Sequence, residues 1–495
     1  MDERTQEFVE TFRVFLEEVV QTERGGDDGL SPLGELVEAH LGSPVRELPV
    51  ITHTIAAHRL VDADLALSSL ADASGAAPLG VSGGQMRDQC ALPELLAGSR
   101  FARFAPGPID YVSVADGPDS VRRVMSFGLV LLHFEGAPVV ALQRAAKPER
   151  GRAAAALEVL AADPDVAGAF LAEFSRLMLS LSVLRGQVLS FTASEYGNGA
   201  AGATFLPRPQ VAADDVILAP GVLESVTRHV VGVGEQRERL REAGQHLKRG
   251  VLLYGPPGTG KTLTVRHLLS RTPDTTAVLL TGPSIRFITE AAELARAMQP
   301  AVVVLEDVDL VAQERGLHGP QPLLFAVLDA LDGLDGDADV AFVLTTNRVE
   351  MLERALAERP GRVDLAVEVA LPDDEARRRL FHRYAQGLPL GADAIDAAAD
   401  RAAGTTGSFA KELMRRAVLA AAEADRAVTD ADLAEALDSL LSAGARLTRS
   451  LLGGGGSGSG SGHRQGDGAA AEQPEVRLTA GWTAYSPRSG QTFEP

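Results

Sequence analysis

Residues 249–269 read RGVLLYGPPGTGKTLTVRHLL. The apolar run from Val251 to Tyr254 reads as a buried strand, a Gly/Pro turn follows, and helical spacing begins at Lys261. Inside the stretch lies G-x-x-x-x-G-K-[ST], spelled Gly255-Pro256-Pro257-Gly258-Thr259-Gly260-Lys261-Thr262, with Leu263 continuing the helix. The glycines let backbone N–H groups wrap phosphates, and the helix N-terminus favours their negative charge. Lys261 is placed to reach the β and γ phosphates of a nucleotide, and the Thr262 hydroxyl to ligate Mg²⁺. A Gly/Pro-rich surface turn is the bland alternative. The strand before and the helix after argue against it and predict a phosphate-binding loop on a parallel sheet.

Further along, residues 302–310 read VVVLEDVDL. A buried strand that runs into Glu306, Asp307 and Asp309 is costly unless a cation or a reaction needs the carboxylates. A P-loop nucleotidase requires such a strand, ending in an acid near Mg²⁺. Strand and helix patterns alternate from about 215 to 372, and a helical, Ala-rich pattern follows from 373 to about 445.

These segments together resemble an AAA ATPase module over residues 215 to about 440. The family's acidic strand usually ends Asp-Glu, the first residue holding Mg²⁺ and the second polarising the attacking water. The resemblance therefore implies Glu306 as metal ligand and Asp307 as base, in swapped order. A similar Glu-Asp order occurs in AAA proteins that resemble the mitochondrial translocase of the Rieske protein. VAFVLTTNRVEML (340–352) matches the first sensor at Asn347, which helps position the water. ALAERPGRVDLAVEVALPD (355–373) matches the paired arginine fingers, Arg359 and Arg362, which act on the neighbouring subunit's nucleotide. Fingers supplied in trans imply a homo-oligomer, by family precedent a hexameric ring. The family also implies backbone contacts to the adenine from Asp215, Val216 and Ile217, and an aromatic contact from Tyr384 in the lid. For Lys411 a solvated helix lysine is preferred to a cation near the phosphates. Phe287 and Ile288 stand where protein-threading rings carry their substrate-gripping pore pair; packing of Phe287 in the core is the equal alternative. For Arg315 and His318 a plain loop is preferred to a second pore loop.

The remainder of the 495 residues says less about chemistry. A chain of this length accommodates roughly three domains. The expected architecture is α/β: an N-terminal α/β recognition domain (1–210), a P-loop parallel sheet (211–372), a helical lid (373–445) and a flexible tail (446–495) containing GGGGSGSGSG. A helix is expected over TQEFVETFRVFLEEVV (5–20), and two strands around the Glu135–Pro138 turn. A long helix ending at Gly186 and a linker over GNGAAGATFLPRPQ (197–210) should follow. His53 and His58 lack the i, i+4 spacing of a helical metal pair. Trp482 and Tyr485 stand out in the tail, which is read as inert. With 67 acidic and 47 basic residues, net charge −20, the chain is a poor match for a nucleic-acid backbone. Its single cysteine, Cys90, excludes an intramolecular disulfide framework and a Cys-rich zinc site. No apolar run approaches the ~20 residues of a spanning helix, so no membrane partner is expected and the cytoplasm is the default location. The reading is an oligomeric, ATP- and Mg²⁺-dependent protein-remodelling ATPase whose residues 1–210 meet a protein client or adaptor. Its alternatives are an assembly switch that binds ATP but hydrolyses little, and a nucleic-acid remodeller.

Overall fold

Two seven-stranded sheets carry the structure, a computed structural model that describes residues 29–83, 87–98, 104–193, 201–309, 329–330, 336–350 and 363–442. The expected helix at 5–20, Arg315, His318, Arg359, Arg362 and the tail lie outside the described residues.

The first sheet comprises β1 (Ile51–Ile55), β2 (Pro78–Ser82), β3 (Ala105–Gly107), β4 (Asp110–Ala115), β5 (Val121–Phe134), β6 (Ala137–Arg144) and β7 (Ala155–Ala161). Their order is β1-β7-β6-β5-β2-β3, with β4 also on β5, and every pairing is antiparallel. Unbroken apolar runs such as Leu129–Leu132 and Val139–Leu142 arise because both faces are covered. Val130, Leu132, Val139 and Ala141 point into one core, beneath the helices Leu60–Ser74 and Pro164–Ser180. Leu129, Val140 and Leu142 point into the other, beneath the helices Pro32–Leu41 and Leu92–Leu96. This is the strand period of two, with each register assigned to its own helix layer. The β5–β6 hairpin turns where the sequence indicated, on Glu135 and Gly136 at φ 52° and 85°. Two successive left-handed residues suit the right-handed strand twist.

The helix expected to run to Gly186 ends at Ser180. The reason is a buried carboxylate. Asp62 accepts hydrogen bonds from the Ser182 hydroxyl (2.8 Å), the Val183 N–H (3.0 Å) and Arg59 Nε (3.1 Å), which pulls the chain out of helical geometry. Burial raises the Asp62 pKa, and these donors oppose the rise. Asp62→Ala is expected to cost about 2–3 kcal/mol in urea unfolding, because the Arg59 charge and two donors lose their acceptor. An unchanged unfolding midpoint would show that the clamp contributes nothing.

The second sheet comprises β8 (Val188–Ala193), β9 (Ala201–Leu206), β10 (Arg249–Tyr254), β11 (Thr276–Thr281), β12 (Ala301–Glu306), β13 (Val340–Thr346) and β14 (Leu365–Glu368), in the order β14-β10-β13-β12-β11-β8-β9. All neighbours are parallel except β9, which is antiparallel to β8. The linker expected at 197–210 is therefore corrected: Ala201–Leu206 is an edge strand, and Ala203, Phe205 and Leu206 pack against the sheet's two cores. Arg208, just beyond, donates to the carbonyls of Gly186, Leu269, Thr272 and Thr275 and so anchors the strand. The hairpin β8–β9 thus joins the N-terminal layers directly to the second sheet. The His58 ring stands edge-on to Phe191 of β8 at 5.5 Å, and Phe191 meets Phe287 at 6.2 Å. His53 stands edge-on to Phe174 at 6.0 Å. Both histidines therefore pack on aromatic rings.

Four helices, Asp374–Ala385, Ala392–Arg401, Gly407–Glu423 and Asp430–Leu441, form a lid with its own core around Phe381, Phe409 and Leu413. No described helix is long and apolar enough to cross a membrane.

Candidate functional site: a phosphate loop under a helical lid

In the second sheet the strand order reverses beside β10, and an open parallel sheet binds ligands beyond its strand ends at such a point. β10, β12 and β13 end side by side, with Tyr254 paired to Thr346 and Leu305 to Leu344. Gly255, Asp307 and Asn347 therefore begin the loops over one crevice. A cavity of about 420 Å³ lies there, walled by residues 257–263 on one side and by the lid residues Leu380, Tyr384, Gly407 and Ser408 on the other.

The loop needs its glycines. Gly255, Gly258 and Gly260 have φ of 141°, 78° and 111°. A Cβ on Gly255 would stand 2.3 Å from the Val369 carbonyl oxygen, and one on Gly258 would stand 2.8 Å from Ser408 Oγ. The Ser408 N–H donates to the Gly258 carbonyl at 3.3 Å, so lid and loop are in direct contact. The Thr259 hydroxyl donates to the Pro256 carbonyl at 2.9 Å and closes the turn. Lys261 is buried and its Nζ donates to the carbonyls of Gly255 (2.7 Å) and Pro256 (2.8 Å). Burial pushes its pKa down to about 8, opposed by Asp307 and Asp309.

The two acids make different contacts. Glu306 accepts a hydrogen bond from the Thr262 hydroxyl, and burial raises its pKa. Asp307 lines the cavity and accepts from Asn347 Nδ2 at 3.1 Å. A hydroxyl and two carboxylates are hard oxygen donors of the kind Mg²⁺ takes, so the residues present fit that ion. The third acid, Asp309, is buried and accepts from Thr346 Oγ1 (3.0 Å) and the Asn347 N–H (3.1 Å), which fixes the strand end.

Val216 and Ile217 line the cavity, and Ile217, Ala376, Leu380 and Tyr384 form an apolar cluster suited to a base. Burial raises the Tyr384 phenol. Asp215 is not on the wall: its carboxylate pairs with Arg383 of the lid at 2.5 Å. Phe287 and Ile288 require a correction. They are 4% and 0% exposed and belong to the core beneath the second sheet, so neither side chain presents a gripping surface. Arg359 and Arg362 lie outside the described residues. Lys411 is exposed on its helix and also lines the cavity. Sequence reasoning missed Arg266, Leu218 and Ser408 on the same wall. Arg266 follows Thr262 by four residues, and that helical spacing was the available signal.

Residues 251–371 match the model of the ATPase family associated with various cellular activities (AAA). The chain carries an AAA ATPase domain. Its relatives include the ATP-dependent zinc metalloprotease FtsH 2 of Sphaerobacter thermophilus, 34% identical over 57% of this chain and 47% of the relative. The proteasome-activating nucleotidases of Methanopyrus kandleri and Methanothermobacter thermautotrophicus are 31% and 32% identical, over 47% and 45% of this chain and 57% and 58% of theirs. The chain thus spans about half the length of these relatives.

Proposed function

We propose that this chain is an ATP-dependent protein-remodelling ATPase that works as an oligomeric, by precedent hexameric, ring. The observation that carries the reading is convergence: phosphate loop, Asp307, Asn347 and an apolar lid wall all border one cavity, and Glu306 is hydrogen-bonded to Thr262 of that wall. In the proposed cycle the adenine lies against Ile217 and Tyr384, and the phosphates lie in the loop from Gly255 to Thr262. Thr262 and Glu306 would hold Mg²⁺, which would supply charge neutralisation at the nucleotide's phosphates. Asp307 and Asn347 orient a water, whose oxygen bonds to the γ-phosphorus as the bond to the ADP oxygen breaks. The water's proton passes to the Asp307 carboxylate. Arg359 and Arg362 of a neighbouring copy would stabilise the transition state.

The relatives' printed names, an ATP-dependent protease and nucleotidases that activate the proteasome, support a protein client. We assign recognition of that client or an adaptor to the N-terminal layers that precede β8, with further boundaries near 372 and 445. The cytoplasm is the proposed location. With Phe287 and Ile288 in the core, client contact falls to other surfaces.

The test is Mg·ATP turnover per subunit as protein concentration rises. A ring with trans arginines should show specific activity that climbs with assembly and then plateaus. Activity independent of concentration from fully monomeric protein would defeat the trans mechanism.

A further inference from the structure

Among the described residues three non-glycine positions have positive φ: Glu135, Asp307 and Asp425. Glu135 turns a hairpin and Asp425 follows a helix end. Asp307 differs, since it stands at the end of a buried strand and faces the cavity. Its φ of 52° is the left-handed region, disfavoured for most side chains and best tolerated, after glycine, by asparagine and aspartate. Something must hold it there.

The holder is the end of β13. Thr345, 1% exposed, accepts the Asp307 N–H on its hydroxyl oxygen at 3.0 Å. Asn347 donates to the Asp307 carboxylate at 3.1 Å. The intervening Thr346 hydroxyl goes instead to Asp309. Strand alternation thus gives residue 307 one anchor on its backbone and one on its side chain, both from the same side of β13.

We propose that Thr345 is a positioning residue for hydrolysis, holding residue 307 in the left-handed conformation that turns the shorter carboxylate into the cavity. The Glu306–Asp307 order then follows from the backbone. The left-handed position takes the residue that tolerates it, and the longer glutamate occupies the extended strand end beside Thr262. The inference rests on the hydrolytic reading above.

The test uses the full chain with Thr345→Val, which keeps the shape and loses the acceptor, and Thr345→Ser, which keeps the acceptor. Thr345→Val should lower kcat about 10- to 100-fold, as expected for a displacement of ~1 Å, with the KM for ATP within about threefold of wild type. Thr345→Ser should recover most of the loss. A crystal structure of Thr345→Val should show residue 307 outside the left-handed region and its contact to Asn347 broken. Wild-type kcat in Thr345→Val would overturn the proposal, as would φ near +50° retained at 307. The double change Glu306→Asp with Asp307→Glu supplies a check that does not disturb the buried threonine. It should be slower than wild type, and a faster enzyme would overturn the link between residue order and backbone. If wild type itself fails to turn over Mg·ATP, the hydrolytic reading falls, while the backbone at 307 in the variant structure still decides the positioning claim.

Discussion

Asp307→Asn is expected to reduce Mg·ATP turnover by about 10²- to 10³-fold, with ATP affinity within a few-fold of wild type. The asparagine is nearly isosteric, tolerates the left-handed backbone at 307 and keeps the N–H that bonds to Thr345. It loses only the capacity to take a proton from water and the charge that faces the cavity. The phosphate loop and lid wall, which supply the binding contacts, are untouched. Steady-state turnover with isothermal titration of ATP separates the two parameters. Equal and very low turnover in wild type and variant, with ATP still bound, would mean that the pair of acids does not work as a base, and the assembly-switch reading would replace ours.

Lys261→Ala should act on the other parameter. Its ammonium makes two hydrogen bonds to loop carbonyls, and a phosphate ligand would draw on the same charge. Charge-assisted hydrogen bonds contribute about 1.5–3 kcal/mol each, so loss of two donors to phosphate should weaken ATP binding by about 10²-fold or more. Truncation also takes that donor from the Gly255 and Pro256 carbonyls, so a modest fall in melting temperature should accompany the loss of binding. Titration with ATP alongside thermal melting checks both halves. Unimpaired binding would show that the loop amides suffice without the lysine. Together the two variants separate binding from chemistry within one cavity.

Much of this was legible in the sequence because it rests on local backbone requirements. Gly255, Gly258 and Gly260 announce a loop that no side chain could fit, and the structure places a carbonyl or a lid residue where each of the first two Cβ atoms would lie. The apolar runs ending in Glu306 and Asn347 are strands that must finish at the same crevice once the sheet is parallel. Illegible were the features set by distant partners. Ala201–Leu206 is short, small and flanked by glycine and proline, and only its pairing with β8 makes it a strand. Phe287 has the composition of an exposed gripping loop, yet Phe191, far away in sequence, claims it for the core. The helix expected to reach Gly186 stops six residues early because Asp62, also remote, captures Ser182 and Val183. Thr345 gave no sign at all: its role appears only when β12 and β13 lie in register.

The hairpin β8–β9 has a practical and an evolutionary consequence. Cutting at residue 211, where the family resemblance starts to fade, would strip two strands from the sheet and leave β11 as a bare edge. The main-chain groups of residues 277–279 that now pair with β8 would be open to any passing strand, and Phe287 would lose Phe191. Such a fragment should clump rather than behave as a free-standing domain. The N-terminal layers are accordingly no interchangeable cargo hook on a string. They share the second sheet through β8 and β9, so a gene fusion that replaced them would have to bring its own hairpin.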